Sequence, residues 1–421
     1  MRVSAGFKAL SGVVTMLVLG GVAQAKPAWR EAFQSSPATY EAPSDGFLTF
    51  AAEHWHAPLD ALRADLTPQA VDGTVRYRIT VQATGSQLRL RLSNEEGAAP
   101  LRLAAVSVGL AADGFVARPG SLHALTFGGA SQVSLAAGVA MISDPLNIAV
   151  QRGAALVVSI ALISPMTNEG RGGAGFVRAD GDQAMRNELD HPKLMKGRPL
   201  VSGIQVLCDP PPSVIVTLGD SITDGNRAEP GMAHGWPERL AERLAARHGG
   251  HSYSLVNAGI AGNRLLSPGW GAAGLARLDR DVLRIEGVSH LILLEGINDI
   301  NMSGNSPFGN NSALSAEDIF AGYRQVIARA HARGIKVYIG TLTPAPTDEF
   351  FTPSKIAMRD AVNRWIRTSG EPDGVIDFEA MVRDPATPTR FKPEFDSGDH
   401  LHPSDRGYSA MGDGIDLTLF P

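Results

Sequence analysis

Hydrophobic and polar residues alternate with a period of two through much of the first half of the chain. Such alternation predicts β-strands that bury one face and expose the other. Glycine, proline and asparagine residues separate the runs as turns, and together these features predict an all-β sandwich over residues 47–208. The strand-like runs cover residues 75–81, 88–92, 101–110, 122–127, 132–135, 155–163 and 201–207.

Two segments of this half do not follow the alternation. Residues 26–46 are predicted to be an N-terminal linker. Residues 164–198 are rich in glycine and charged side chains and have no clear period. A stretch of this kind is either a disordered connection or a functional loop, such as a lid over a binding site.

The pattern changes after Pro210, Pro211 and Pro212. Three prolines favour a stiff linker, assigned to residues 209–213, and its shortness requires the two domains to lie side by side. Beyond it, apolar runs alternate with segments of helical spacing, which predicts a parallel sheet with helices on both faces. The strands of this second domain, residues 214–421, are predicted to begin near Val214, Ser254, Leu291, Ile335 and Val375.

The N-terminus has the pattern of a secretory signal peptide over residues 1–25. Arg2 and Lys8 supply positive charge before an apolar stretch, and residues 23–25 form a small-x-small cleavage site. The stretch is too short and too rich in glycine for a membrane span. We therefore expect a mature chain that begins near Lys26 and is secreted or periplasmic.

Charge and cysteine content narrow the function classes. The net charge of −5 argues against nucleic acid as a partner, because nucleic-acid binding needs clustered positive charge. The sequence has no polybasic patch that would bind an anionic membrane. No segment after the N-terminal apolar stretch is long and apolar enough to span a bilayer. The single cysteine, Cys208, excludes an internal disulfide and is interpreted as structural.

A glycine-flanked serine follows the apolar run 214–217. The sequence Gly219-Asp220-Ser221 predicts a sharp turn from a buried strand into a loop. Open α/β folds build their sites at the carboxyl ends of such strands. Ser221 is therefore a candidate nucleophile, although the motif alone also fits a helix cap.

Three further polar motifs follow strand-like runs, and each lies in a separate block. They are Asn257-Ala258-Gly259-Ile260-Ala261-Gly262-Asn263-Arg264, Glu295-Gly296-Ile297-Asn298-Asp299 and Asp399-His400-Leu401-His402-Pro403. A Ser, a Gly, an Asn and a His in this order resemble the SGNH (GDSL-type) hydrolase family over about half the chain. Ile222 stands where the family name carries Leu. The resemblance implies a flavodoxin-like three-layer αβα fold, with a five-stranded parallel sheet of order 2-1-3-4-5.

The residue types fit nucleophilic catalysis. A serine hydroxyl needs a base, and that base needs an orienting group. His402 supplies an imidazole, a group whose unperturbed pKa lies close to working pH, and Asp399 can accept its other N–H. The family resemblance implies three oxyanion donors: the backbone N–H groups of Ser221 and Gly262 and the side-chain amide of Asn298. Such a mechanism requires no cofactor.

Neighbouring polar residues are assigned supporting roles. Asp220 is expected to shape the nucleophile turn by accepting local backbone N–H groups. Asp299 is expected to orient Asn298 or Arg264. Arg264 fits a structural ion pair better than a site for an anionic substrate group. His400 breaks the three-residue spacing and is expected to face away from the nucleophile.

Other chemistries remain as alternatives. A nucleotide site at the switch point of the sheet would need a glycine-rich phosphate loop, which the segment after the first strand lacks. A metal site is less favoured, since the cluster of Asp399, His400 and His402 lacks carboxylates from other blocks. A carbohydrate-binding module with a decayed hydrolase domain is disfavoured because all five expected residues are present. The two candidate metal clusters are His54, His56 and Asp60, and Asp399, His400 and His402.

The sequence thus predicts an exported serine esterase that forms an acyl-serine intermediate. Short acyl groups, especially acetyl on a small-molecule or polysaccharide carbohydrate ester, are the favoured substrates. A lipid-directed esterase or lysophospholipase, or an acyltransferase, is the alternative. The β-sandwich resembles domains that precede some secreted members of the family, and we favour a scaffold that walls the cleft over a carbohydrate-binding module. The oligomeric state stays open.

Overall fold

The computed structural model describes residues 1, 26–39, 43, 45–54, 58–168, 175–228, 235–247, 252–306, 309–346, 348 and 350–421. The predicted signal peptide, residues 1–25, lies outside the described residues apart from Met1. Within the described ranges, no helix combines the length and the apolar character that a bilayer crossing needs.

The first half of the chain is built mostly of strands, with two helices between the first and second strand. The helices are α1 (Asp45–His54) and α2 (Leu59–Leu66). The strands are β1 (Ala28–Gln34), β2 (Gln69–Val71), β3 (Thr74–Thr80), β4 (Leu88–Asn94), β5 (Leu101–Leu110), β6 (His123–Ala124), β7 (Val133–Leu135), β8 (Val139–Ile142), β9 (Ala155–Leu162), β10 (Met166–Asn168), β11 (Gly175–Ala179), β12 (Lys193–Lys196) and β13 (Val201–Cys208).

Two antiparallel sheets of these strands share one apolar core, as the alternation predicts. One sheet has the order β1-β13-β4-β8, and the other has the order β12-β11-β3-β9-β5-β6, with β7 paired to β5. Alternate side chains of β3 and β4 are buried in this core because successive residues of a strand point to opposite faces. Arg76 is an exception: its guanidinium is buried on the other face of β3 and bonds to Ser159 at 2.7 Å.

The structure corrects three details of the sandwich. The predicted linker 26–46 contains β1, which pairs antiparallel with β13 and so belongs to a sheet. The predicted loop 164–198 contains the short strands β10, β11 and β12. The predicted strand 122–127 is reduced to the two residues of β6, because the chain leaves β5 after only two paired positions.

The second half of the chain alternates strands and helices, with short 3₁₀ turns near its end. Its strands are β14 (Ser213–Gly219), β15 (Tyr253–Gly259), β16 (Val288–Leu294), β17 (Asn305–Ser306), β18 (Gly309–Asn310), β19 (Lys336–Gly340) and β20 (Gly374–Ile376). Its helices are α3 (Ser221–Asp224), α4 (Trp236–Ala246), α5 (Gly274–Leu278), a π-helical turn (Asp279–Leu283), α6 (Ile297–Asn301), α7 (Ala316–His331), α8 (Pro353–Thr368), α9 (Phe378–Val382) and α10 (Asp405–Gly414).

Five of these strands form a parallel sheet with the order β15-β14-β16-β19-β20. In chain order this is 2-1-3-4-5, so the predicted flavodoxin-like topology is confirmed. Strands β14, β15 and β16 are buried on both faces over most of their length, and the apolar sides of α4 and α7 pack into the same core. Because the strands are parallel, the loops after β14, β15 and β16 emerge at one edge of the sheet.

The sandwich packs directly against the edge strand of the parallel sheet. The hydroxyl of Ser254 in β15 donates to the backbone oxygen of Glu31 in β1 at 2.7 Å. An ion pair of 3.0 Å joins Arg280 to Glu96, which follows β4. These contacts hold the two halves side by side.

Candidate active site

The candidate nucleophile lies at a tight turn where β14 ends. Asp220 caps α3 by accepting the backbone N–H of Ile222 at 2.9 Å, as predicted for it. Gly219 leaves no room for a side chain, because a Cβ atom there would overlap the hydroxyl oxygen of Thr223. The turn therefore fixes Ser221 at the first position of α3, where it is 5% exposed.

The structure brings Ser221, His402 and Asp399 into one hydrogen-bonded chain. The Nε2 atom of His402 lies 2.8 Å from the Oγ atom of Ser221. Its Nδ1 atom lies 2.8 Å from an oxygen of Asp399. Both distances are those of good hydrogen bonds. The arrangement is the one in which an imidazole can accept the serine proton while a carboxylate holds its other nitrogen.

Asp399 is held in its ionised form. Burial alone would raise the pKa of its carboxyl, but the hydrogen bond and charge of His402, with the backbone N–H groups of His402 and Leu401, hold that pKa well below its usual range. The same carboxylate also contacts Arg227, whose Nε atom lies 3.0 Å away. Asp399 is therefore a fixed negative charge beneath the imidazole.

His400 takes no part in this chain, as the spacing predicted. Its Nδ1 atom lies 2.6 Å from Asp396, and its side chain is 59% exposed. The backbone of His400 has a φ of 63°, in the left-handed region that residues other than glycine rarely adopt. His402 alone of the two histidines contacts the nucleophile.

Two of the predicted oxyanion donors adjoin the serine from neighbouring loops. Gly262 has a φ of 77°, and a Cβ atom there would overlap the Trp270 ring, so only glycine fits. The side-chain nitrogen of Asn298 donates to the backbone oxygen of Asn263 at 3.0 Å, and Asn298 is 5% exposed. An amide nitrogen carries two hydrogens, so the second one can serve a substrate oxygen.

Asp299 and Arg264 have contacts that differ from the prediction. The Asp299 carboxylate accepts the backbone N–H groups of Leu265 and Leu266 at 2.7 and 2.9 Å, so it holds the loop after Gly262 rather than the Asn298 side chain. Burial raises the pKa of Asp299 to about 6, against the lowering effect of those N–H groups and of the Arg264 charge. Arg264 donates to the Asn311 side chain and to a backbone oxygen.

A cavity of about 530 Å³ lies over this group of residues. The second domain contributes Ser221, Gly262, Asn298, Asp399 and His402 to its lining. The first half of the chain contributes the opposite wall, with the segments around α2 and β12. The wall residues include Phe47, Leu62, Leu66, Gln69, Asn168, Leu194, Met195 and Lys196.

The wall segment after β12 is anchored to the second domain. Arg198 is 8% exposed, and its guanidinium lies 3.1 Å from the Asp224 carboxylate at the end of α3. It also donates to the backbone oxygen of Gly259, the last residue of β15. The predicted lid segment therefore borders the cavity through β12, and its residues 169–174 lie outside the described residues.

A group of buried ionisable residues underlies the serine turn. Burial raises the pKa of Asp220 to about 7. Burial and the charge of Asp220 raise the pKa of Glu295 well above its usual range, and Arg277 opposes this. Neither carboxylate oxygen of Glu295 has a hydrogen-bond partner among the described residues. Burial without a hydrogen-bond partner for these oxygens among those residues thus favours the protonated form of Glu295.

Sequence reasoning missed Trp270, Arg227, Arg198 and Arg277. None of them lies within a motif of the four blocks, so no local signal marked them. Among the described residues, no three His, Cys, Asp or Glu side chains are grouped as they would be around a metal ion. His56 of the first candidate cluster lies outside the described residues.

The chain is similar to known proteins over its second half. Residues 217–410 match the model of the GDSL-like lipase/acylhydrolase family. A comparison with curated proteins finds no match.

Among solved structures, the acetylxylan esterase of Geobacillus stearothermophilus is 21% identical, with a TM-score of 0.39 over 48% of this chain and 91% of that one. An aryl esterase of M. smegmatis is 15% identical, with a TM-score of 0.38 over 49% and 98%. A GDSL-like lipase of Bacteroides thetaiotaomicron is 18% identical, with a TM-score of 0.36 over 49% and 87%.

Proposed function

Since residues 217–410 match the model of the GDSL-like lipase/acylhydrolase family, we propose that this protein is a serine esterase. The observation that carries the proposal is the chain of hydrogen bonds from Asp399 through His402 to Ser221, at the floor of a cavity of about 530 Å³. A serine so placed can attack an ester carbonyl that enters the cavity.

The proposed reaction has two steps. His402 takes the proton of Ser221 as the serine oxygen bonds to the ester carbon, and then gives that proton to the leaving alcohol. Water next attacks the acyl-serine, with His402 again as the base, and His402 then returns the proton to the Ser221 oxygen as the acyl carbon–serine bond breaks and the carboxylic acid leaves. The N–H groups of Ser221, Gly262 and Asn298 stabilise the negative oxygen in both steps, each by on the order of 3 kcal/mol. Asp399 stabilises the imidazolium that forms in between.

We further propose that short acyl groups, acetyl above all, on a carbohydrate alcohol are the substrates. The cavity is larger than an acetyl group and has room for a bulky alcohol. Its lining offers hydrogen-bonding side chains that suit hydroxyl groups, beside the aromatic rings of Phe47 and Trp270. The polar lining residues include Gln69, Asn168, Lys196, Asn226, Asn301 and Asp348.

A lipid ester is the second candidate, and the apolar part of the wall favours it. Leu62, Leu66, Leu194 and Met195 line the cavity, and Leu194 is 67% exposed. An exposed leucine beside a cavity gains free energy when an acyl chain covers it. The sandwich acts as part of the substrate site under either candidate, as a wall rather than a separate module.

The test compares wild type with Ser221→Ala on p-nitrophenyl esters from acetate to palmitate and on a panel of acetylated glycans. The wild type is expected to release acid, and Ser221→Ala to lose at least about 10³-fold in kcat. Ser289→Ala is the matched control, because Ser289 lies in β16 and contacts His290 instead. Full activity of Ser221→Ala would end the proposal. The chain-length profile and the glycan panel separate the two candidate substrates.

Export is proposed from residues 1–25 alone. The N-terminal sequence of protein recovered from outside the cytoplasm is expected to begin near Lys26. An unprocessed N-terminus on protein retained in the cytoplasm would contradict it.

A further inference from the structure

Arg277 is a completely buried arginine of α5 that lies behind the candidate site. Its side chain has no exposed surface. Its guanidinium donates to three acceptors that belong to two site-bearing segments. They are the backbone oxygen of Gly219 at 3.0 Å, the backbone oxygen of Ala258 at 2.5 Å and the side-chain oxygen of Asn263 at 2.9 Å.

Two of the three acceptors lie close in sequence to groups that the proposed reaction uses. Gly219 ends β14, two residues before Ser221. Asn263 directly follows Gly262, and its backbone oxygen accepts the Asn298 amide at 3.0 Å. One planar guanidinium therefore contacts residues within two positions of two predicted oxyanion donors and reaches the third, Asn298, through Asn263.

The positive charge of Arg277 is balanced within the same buried region. Asp281 lies 3.0 Å away and is 2% exposed at its side chain, whereas Glu295 lies 3.7 Å away. Asp281 also pairs with Arg280 at 2.7 Å, and Arg280 pairs with Glu96 of the sandwich at 3.0 Å. Arg277 is thus connected to both halves of the chain.

We propose that Arg277 is a positioning residue that sets the spacing of the three oxyanion donors, an inference that rests on the esterase function proposed above. The rigid fork of arginine can hold several oxygens at fixed positions, whereas a lysine ammonium is a single point on a flexible stem. Arg277→Lys therefore keeps the charge but loses the geometry. The donors then no longer converge on one oxygen, and the chemical step slows.

A purely structural role would have a different signature. A structural arginine supports the fold, so its loss lowers stability and leaves the folded fraction fully active. Arg359 is a matched control: its side chain is 2% exposed, it pairs with Glu379 at 3.0 Å, and it donates to the backbone oxygen of Thr343 at 3.1 Å. These partners lie outside the segments that carry the donors.

The experiment measures kcat, KM, the pH profile and Tm of wild type, Arg277→Lys and Arg359→Lys on p-nitrophenyl acetate. Arg277→Lys is expected to lower kcat at least about 30-fold, since one lost donor costs about 10² or more. Its KM is expected to stay within about threefold, and the pH of half-maximal activity is expected to stay unchanged because His402 is untouched. Both variants are expected to lower Tm, by comparable amounts. Arg359→Lys is expected to keep kcat within about threefold of the wild-type value.

Arg277→Lys with a kcat equal to that of the Arg359→Lys control would overturn the proposal. If Arg277→Lys does not fold, Asn263→Ala decides by the same criteria, because it removes one acceptor of Arg277 without burying a charge. Its kcat should fall in the same way, and an unchanged kcat would equally overturn the proposal. A wild type without esterase activity would instead remove the proposed function itself, so the two failures are distinguishable.

Discussion

The Nε2 atom of His402 lies 2.8 Å from the Oγ atom of Ser221, although 181 residues separate them in the chain. The parallel sheet accounts for this approach. Ser221 follows the first strand of the sheet, and His402 lies in the last loop before α10. Both residues line one cavity, so the folded chain places the base beside the nucleophile.

The negative charge of Asp399 is predicted to be essential to the base. Asp399→Asn keeps the shape of the side chain but loses the anion that stabilises the imidazolium. We expect kcat to fall about 10³-fold or more with a small change in KM. Steady-state kinetics on p-nitrophenyl acetate measure this loss.

The matched control for Asp399→Asn is Asp373→Asn. Asp373 also binds a histidine, His331, at 2.7 Å, but on the far side of the domain from the cavity. This control is expected to keep kcat within about threefold, as surface substitutions away from a site do. Equal losses in the two variants would contradict the assigned role.

Gly262 is predicted to be irreplaceable because of both its backbone and its neighbour. Gly262→Ala must adopt a φ of 77° and also displace the Trp270 ring, which the new Cβ atom would overlap. We expect a loss of stability of more than about 1 kcal/mol and a fall in kcat of at least about tenfold. Urea unfolding and kinetics measure the two effects.

Gly334→Ala separates backbone strain from the contact with Trp270. Gly334 has a φ of 71°, and no described atom lies within 4 Å of the position that a Cβ atom would take there. This variant is expected to lose about 1 kcal/mol of stability and no activity. If Gly262→Ala behaved in the same way, the Trp270 contact and the oxyanion role would both be refuted.

The buried Glu295 predicts a pH-dependent stability. Its folded-state pKa is raised well above the ordinary value of 4.5, so the folded state binds more protons than the unfolded state at neutral pH. The contribution of Glu295 to the stability of wild type is therefore complete below the pKa of Glu295 in the unfolded state. It is lost as the pH rises toward the pKa of Glu295 in the folded state.

Glu295→Gln removes this proton linkage. The free energy of unfolding of the variant relative to wild type is expected to rise as the pH increases above the ordinary pKa of 4.5, with a slope of up to about 1.4 kcal/mol per pH unit. Urea unfolding across this range measures it. A difference between the two proteins that is constant with pH would contradict the raised pKa of Glu295.

Leu194 is predicted to select the acyl chain if lipid esters are substrates. It lines the cavity from β12 and is 67% exposed. Leu194→Asn is expected to lower kcat/KM about tenfold for the longest ester accepted and to leave acetate unchanged. The control is Ile142→Asn, because Ile142 in β8 is also exposed, to 46%. An equal loss on acetate would exclude the acyl-chain role.

The sequence predicted the parallel sheet and the four site segments because their signals are local. The strands of this sheet begin at Ser213, Tyr253, Val288, Lys336 and Gly374, all within three residues of the predicted starts. Long apolar runs buried on both faces leave little ambiguity. The family resemblance then identified which polar residues after these strands form the site. The hydrogen bonds that join Ser221, His402 and Asp399 agree with that assignment.

Strand β1 was missed because its pattern is irregular. Its register with β13 shifts between Glu31 and Phe33, which breaks the period of two. Glu31 is 1% exposed and pairs with Arg91 at 3.1 Å, so a charged residue occupies a position that the pattern assigns to solvent. Partners distant in sequence decide such a strand, and no local pattern shows them.

The arginines behind the site could not be found from the sequence for a similar reason. Arg277 and Arg198 each bond to backbone oxygens at strand ends, and any residue type can supply those oxygens. Their importance follows from the folded arrangement alone. The same holds for the cavity wall, because β12 has no apolar periodicity and three of its four side chains are exposed.

Covalent labelling tests the central claim most directly. Wild-type protein is incubated with a fluorophosphonate, digested and analysed by mass spectrometry, alongside His402→Ala and Ser221→Ala. We predict one adduct, on Ser221, in wild type, a rate of labelling at least about 10²-fold lower in His402→Ala, and no adduct in Ser221→Ala. An esterase-active wild type that carries its adduct on another residue, or labels equally fast without His402, would contradict the account.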